Sequence, residues 1–303
     1  MDNITINNLK KTTINLILIF LLQGCASKVQ GWKNEMLPNE LTQEEVLVLL
    51  DQAEFAWSNR EKRDQLQIAL TNFEKVFFST GVLPPQKDRV FLSAHLAQGY
   101  YQLGDYHQHV VEKKLRAYKM GGEWAERGLG LNPYFKKAVI EHGHFVPGIK
   151  YLDKEYAGVM YWYLANIGKW ALYSGVNTSL KYKELLKVMA ARLEVVDSTY
   201  FHGGVYRVLG AFYAVLPSYA GGDLDQSWNY FQKSLKIAPD YVGTKILLAQ
   251  AFAVFRNDGQ LFKQVLNEVV NRKLDKASVF YPENLLEQRK AKDLLNSYED
   301  FFN

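Results

Sequence analysis

The sequence predicts an all-α fold, and three observations predict it. From Leu41 onward the apolar residues recur with helical periodicity. No segment alternates apolar and polar residues at period two, so no half-buried strand is expected. Glycine and proline punctuate the chain around 81–85, 121–122, 133, 147–148, 175, 203–204, 217–222, 239, 259 and 282, at intervals that suit helices of about two to five turns. With 303 residues, 48% of them apolar, the chain can bury one large core or an array of small ones.

The N-terminus carries the most specific local signal. Lys10 and Lys11 precede an apolar run over 14–22, broken only by Asn15. That run is too short to span a bilayer and reads as the core of a secretory signal. It ends in Leu22-Gln23-Gly24-Cys25, and Cys25 is the only cysteine. The tetrapeptide resembles a bacterial lipobox, with Gln23 where a small residue is usual. The resemblance implies that Cys25 is lipidated and opens the mature chain, which leaves no thiol for disulfides, metal or nucleophilic catalysis. Ala26 stands where an aspartate would signal inner-membrane retention, so an outer-membrane anchor facing the periplasm is expected. The expected organisation is a signal peptide over 1–24, a lipidated N-terminus and tether over 25–38, and a single helical domain over 39–303.

Along that domain, Thr42 and Glu45 form a capping box ahead of Val46, Leu47, Leu49, Leu50 and Ala53. A half-repeat shows at Ala69, Phe73 and Val76. Leu96, Ala97 and Tyr100 begin a fuller one, with Gly104-Asp105-Tyr106 at the expected turn and then Gly121, Ala125, Gly128 and Pro133. Leu209, Gly210 and Tyr213 begin another, followed by Ser227, Phe231, Ser234 and Pro239 at the same offsets. This is the tetratricopeptide pattern, in which small residues let paired helices approach and aromatics fill the gap beside them. Both copies carry an insertion between their two helices, about twelve residues in the first and about five in the second. Pro133 and Pro239 are 106 residues apart; less the shorter insertion, that is close to three periods of about 34, so two weakly marked repeats lie between. The expected architecture is a right-handed superhelix around a concave or pore-like interior. Gly221 and Gly222 form a structural loop, and Asp223 is an N-cap with Gln226 as its capping-box partner.

The segment 161–170, YWYLANIGKW, is the least ordinary helix. Trp162, Asn166, Lys169 and Tyr173 fall at i, i+4, i+7 and i+11, on one face. The helix is apolar nearly all round and so is enclosed. An unpaired buried ammonium is costly, so this face either looks into a wet or ligand-filled space or places Lys169 against a carboxylate within an ordinary aromatic core. Arg207, just after Gly203-Gly204, can reach the same space. The candidate ligand, pore-lining or partner residues are Trp162, Asn166, Lys169, Trp170, Tyr173, Tyr206, Arg207 and Tyr213.

YWYLANIGKWALYSG (161–175) and HGGVYRVLGAFYAVLPSYAGGDLDQSWNYFQKSLKIAPDYVGTKILLA (202–249), with YYQLGDY and EWAERGLGLNP upstream, resemble the TatT family, the T component associated with TRAP transporters. The resemblance covers about 41–270, and AGGD is its most specific part. It implies a periplasmic lipoprotein of tetratricopeptide-like helices. Such a protein works with the substrate-binding P component and passes a small organic acid or hydrophobic ligand inward. It brings no catalytic residues.

Other classes find little support. The net charge is +4, of which Asp2, Lys10 and Lys11 in the first 24 residues supply one, so nucleic acid is not an expected partner. His107/His109 and His142/His144 are i, i+2 pairs that diverge on a helix and lack a third ligand, so neither metal nor cofactor is expected. No HExxH, GxSxG, P-loop or GxGxxG motif occurs. A helical glycosidase would need two poised carboxylates; Asp153, Glu155 and Asp223 are the only candidates, and Asp223 is better explained as a cap. The leading expectation is a periplasm-facing, lipid-anchored partner of a solute-binding protein, able to self-associate through its 14% aromatic content. The competing one is a scaffold lipoprotein for envelope assembly with a solid interior.

Overall fold

The computed structural model describes residues 31–32 and 40–302, and its regular structure is helical, with no extended strand among the described residues. The chain proceeds largely as helical hairpins. Helix α1 (Gln43–Trp57) folds against α2 (Arg63–Phe77), and α3 (Arg89–Tyr106) against α4 (Val111–Leu129). After α5 (Pro133–His142) and two 3-10 turns, α6 (Ala157–Tyr173) pairs with α7 (Val176–Asp197). Helix α8 (Tyr200–Val215) pairs with α9 (Leu224–Ile237). One continuous helix, α10 (243–256), is π-helical over Leu248–Ala253, and α11 (Gly259–Val270), α12 (Tyr281–Asn296) and α13 (Glu299–Phe302) complete the chain.

The local starts and stops follow the sequence signals. Thr42 and Glu45 make the reciprocal capping box of α1. Asp223 caps α9 by accepting from the Gln226 N–H at 2.9 Å. Here the box differs from expectation. The Gln226 side chain donates to the Asp223 carboxylate, because the Asp223 N–H is already spent on the Tyr213 carbonyl. The twelve-residue insertion foreseen between α3 and α4 is not a loop. α4 simply starts early, at Val111, and absorbs it as extra helical turns.

Small residues do set the helix–helix distances. A Cβ on Gly121 of α4 would lie 2.2 Å from Asn166 of α6, and one on Gly210 of α8 would lie 2.9 Å from Phe231 of α9. One apolar core runs from α1 through α8 and contains the fully buried Trp162, Tyr163 and Phe73. A second lies among α8 to α12 around Phe252 and Phe262.

Cys25, the signal peptide and most of the expected tether lie outside the described residues. Within the tether, Gly31 and Trp32 dock on the fold. The Gly31 N–H donates to Glu126 Oε2 at 2.7 Å. Trp32 stacks on Phe145 at 5.9 Å and sits against Gly130, where a Cβ would clash with it.

The helices then return on themselves. α12 packs on α10 and α11, yet its side chains reach the first half of the chain. Glu283, Glu287 and Lys290 fall at i, i+4 and i+7, which is one face of α12, and all three bond to residues between 60 and 106. This polar clasp joins the last hairpins to the first and closes off the space between them.

Candidate functional site

That space is a cavity of about 190 Å³ bounded by α3, α6, α7, α8, α10 and α12. Its wall has two characters. Where α3, α12 and the start of α8 meet, it carries Gln102, Lys169, Arg207, Tyr241, Glu283 and Glu287. Towards α7, α10 and the end of α8 it becomes apolar, with Leu186, Phe212, Val215, Leu247 and Phe255.

Asp105 organises the first of two charge centres. It ends α3 with its side chain 4% exposed and accepts from Lys169 Nζ at 2.9 Å, Lys290 Nζ at 2.7 Å and the Tyr118 hydroxyl at 2.8 Å. Burial alone would raise its pKa, but the two ammonium groups hold the carboxyl far below the usual carboxylate range. Lys290 is pushed up, because Asp105 and Glu287 outweigh the burial that opposes its charge. Burial wins at Lys169, whose pKa falls despite the same Asp105. The result is an ionised triad whose charges answer one another.

The clasp continues on α12. Glu283 takes a two-pronged ion pair from Arg60, at 2.8 Å on both oxygens, and hydrogen bonds from Gln98 at 3.2 Å and Gln102 at 2.9 Å. Glu287 accepts from the Tyr106 hydroxyl at 2.7 Å, and burial raises its carboxyl above the usual range. Its other oxygen and Gln102 Oε1 are buried polar atoms on the cavity wall with no partner among the described residues.

Arg207 is the second centre. The chain enters α8 through a strained turn in which Phe201 (φ 44°), His202 (φ 63°) and Gly203 (φ 70°) are all left-handed. Two of these carry side chains, where that conformation costs roughly 1–2 kcal/mol each. Two carbonyls of this turn are bonded by Arg207. It donates to Phe201 O at 3.0 Å and His202 O at 3.1 Å, and to the Tyr161 hydroxyl at 2.8 Å. Its guanidinium lies 4.6 Å from the Tyr241 ring centre, 5.7 Å from Phe201 and 5.8 Å from Tyr161. Only 4% of the residue is exposed, and no carboxylate lies within 4 Å of it among the described residues. His202, beside it, is lowered to about 4, by burial first and by the guanidinium second.

Of the residues singled out in the sequence, Trp162, Lys169, Tyr173 and Arg207 stand on this wall. Four do not. Asn166 is fully buried between α3 and α4. It donates to Ala97 O at 2.9 Å and to Trp162 O, one turn back, at 2.8 Å, so its amide is held by backbone and faces no open space. Trp170 turns away to set its edge on Tyr182 at 5.5 Å. Tyr206 and Tyr213 both stack on one ring, Tyr230 of α9, on the side of α8 that meets α9. Tyr213, Gly222 and Asp223 border a second hollow that shares Leu216 and Phe255 with the cavity, and Gly221 is left-handed at φ 89°. Asp153, Glu155 and Asp223 are not on the cavity wall. The sequence reading missed Asp105, Lys290, Glu283, Glu287 and Tyr241 as members of the site. The one legible signal was the i, i+4, i+7 spacing of charges at Glu283, Glu287 and Lys290.

Fold and site together define a helical protein built around an aromatic, amphipathic cavity. A family model, TAtT: TRAP transporter T-component, matches residues 100–302, about two thirds of the chain. The chain belongs to that family, and the matched span takes in every residue of the cavity wall. It is thus an accessory component of the TRAP transporter system. No curated protein matches the chain at a significant level. No described helix is long and apolar enough to cross a membrane.

Proposed function

We propose that the protein is a periplasm-facing lipoprotein, anchored through Cys25 at the outer membrane. It docks the substrate-binding P component of a TRAP transporter and hands a small ligand through its cavity. The observation that carries this reading is the cavity itself. An amphipathic hollow of about 190 Å³, with a buried cation that no carboxylate pairs among the described residues, lies inside the span that the T-component family shares. The recurring small–aromatic helix contacts support tetratricopeptide-like repeats, which present inner surfaces to partners. A half-buried aromatic stack at Tyr206, Tyr230 and Tyr213, flanked by the Lys233 ammonium, is a candidate docking surface.

The scaffold reading keeps one observation in its favour: Lys169 is spent on Asp105 and is not free for a ligand. Affinity purification of the full chain from its own host, with mass spectrometry of the eluate, separates the two. A stoichiometric periplasmic solute-binding protein is the expected result. Recovery of envelope-assembly factors alone would contradict it.

A further inference from the structure

Arg207 poses a problem of charge balance. The buried or nearly buried cations around the polar end of the cavity are Arg60, Lys169, Lys290 and Arg207, and the anions are Asp105, Glu283 and Glu287. Arg60 is paired with Glu283, and both lysines with Asp105. Glu287, one turn from Lys290 on the same helix, offsets the second ammonium. That leaves Arg207 as the remainder. Its three hydrogen bonds end on neutral oxygens, which satisfy donors without neutralising the charge. An uncompensated buried cation is expensive, and ring faces offset only part of that cost. A strained, left-handed turn is maintained to hold it there. Lys187, the third cation on the wall besides Arg207 and the paired Lys169, is exposed.

The wall beyond Arg207 has a direction. Val208, Ala211, Phe212 and Val215 follow on the same face of α8, and all line the cavity. From Arg207 to Val215 the helix rises about 12 Å. Leu164, Leu186, Leu247 and Phe255 face this strip from other helices. A ligand lying here meets a cation at one end and hydrocarbon along the rest. A second anionic group finds no free cation at the polar end among the described residues, because Arg60, Lys169 and Lys290 are already paired with Glu283 and Asp105.

We infer that Arg207 is the headgroup seat of the cavity and that the ligand is a small monocarboxylate with an apolar tail. The carboxylate lies on the guanidinium, and the tail runs along α8 towards Val215. The inference rests on the reading of the cavity as a ligand site and deepens it. It selects against dicarboxylates, which would place their second charge in hydrocarbon or at the polar end without a free cation. It also selects against neutral amphiphiles, which leave Arg207 unanswered. The cavity is smaller than the roughly 300–1,000 Å³ of drug-sized pockets, so a chain of about eight carbons is a fitting probe.

The test is calorimetric titration of the full chain carrying Cys25→Ser, which takes no acyl group, with octanoate, octanol and suberate. Octanoate is expected to bind at least about tenfold more tightly than either of the others. Arg207→Gln is expected to weaken octanoate by at least about tenfold while leaving octanol unchanged, and Arg207→Lys to retain part of the preference. The comparison of probes on the Arg207 chain needs no further variant, so the outcome stands even where a substitution at Arg207 fails to fold. Equal binding of octanol and octanoate would overturn the headgroup seat and leave the ligand cavity standing. Binding of none of the three would overturn both.

Discussion

Asp105, behind the cavity wall, and Arg207, on it, are both charges withdrawn from water. Around Asp105 the protein supplies both counter-ions, Lys169 and Lys290, drawn from sites 64 and 185 residues away. Around Arg207 the described residues supply carbonyls, a phenol and ring faces, but no anion. The first centre ties α3, α6 and α12 together. The second consumes backbone strain and returns no ion pair. A buried charge that is answered holds the fold, and one that is held but left unanswered is set aside for something that arrives.

The largest effect should come from Asp105→Asn. It leaves two buried ammonium groups without a partner, and breaking such a site costs roughly 3–5 kcal/mol. Urea unfolding followed by circular dichroism would measure it. Adding Lys169→Met should return part of the loss, because one stranded charge is then gone. The carboxyl is depressed in the folded chain. Its contribution is therefore fully present above the unfolded value of 3.8 and is lost as pH falls below it.

A smaller cost is expected at Gly121→Ala. The new methyl group meets Asn166, which is fixed between two carbonyls and cannot retreat, so roughly 1–3 kcal/mol of overpacking follows. Arg207→Gln should cost less than Asp105→Asn, about 1–2 kcal/mol, since it weakens charged hydrogen bonds but also removes an unpaired charge. A loss as large as that of Asp105→Asn would erase the contrast between the two centres.

The smallest expected effect is a pH slope. His95 and His202 are both lowered to about 4, chiefly by burial. Between their unfolded value of 6.5 and about 4 the unfolded chain binds more protons, so stability falls as pH falls through that window. His202→Asn, which suits the left-handed backbone, should flatten part of the slope. An unchanged slope would remove His202 from the account.

Much of the fold was legible because its signals are local. The helix caps at Thr42 and Asp223 and the close approaches at Gly121 and Gly210 depend on residues a few positions apart or on a repeated offset. Helical period also placed Lys169 and Tyr173 on the wall and aligned Trp162 with them. The same period misled at Asn166, because an asparagine can bond to the carbonyl one turn back and needs no open space. The site's closure was illegible for a different reason. Glu283 meets Arg60 across 223 residues, and Lys290 meets Asp105 across 185; no spacing rule connects such positions. Nor does a propensity scale foresee Phe201 and His202 in left-handed backbone, since that conformation is imposed from outside the turn.

The most direct measurement is urea unfolding of three chains, the Arg207 and Asp105 parent and its Arg207→Gln and Asp105→Asn variants, each with and without octanoate. A ligand at about a hundred times its dissociation constant stabilises by roughly 2.7 kcal/mol. That gain is expected in the parent and in Asp105→Asn, the latter from a much lower starting stability, and is expected to be lost in Arg207→Gln. A gain in Arg207→Gln equal to the parent's, or none in the parent, would contradict that expectation.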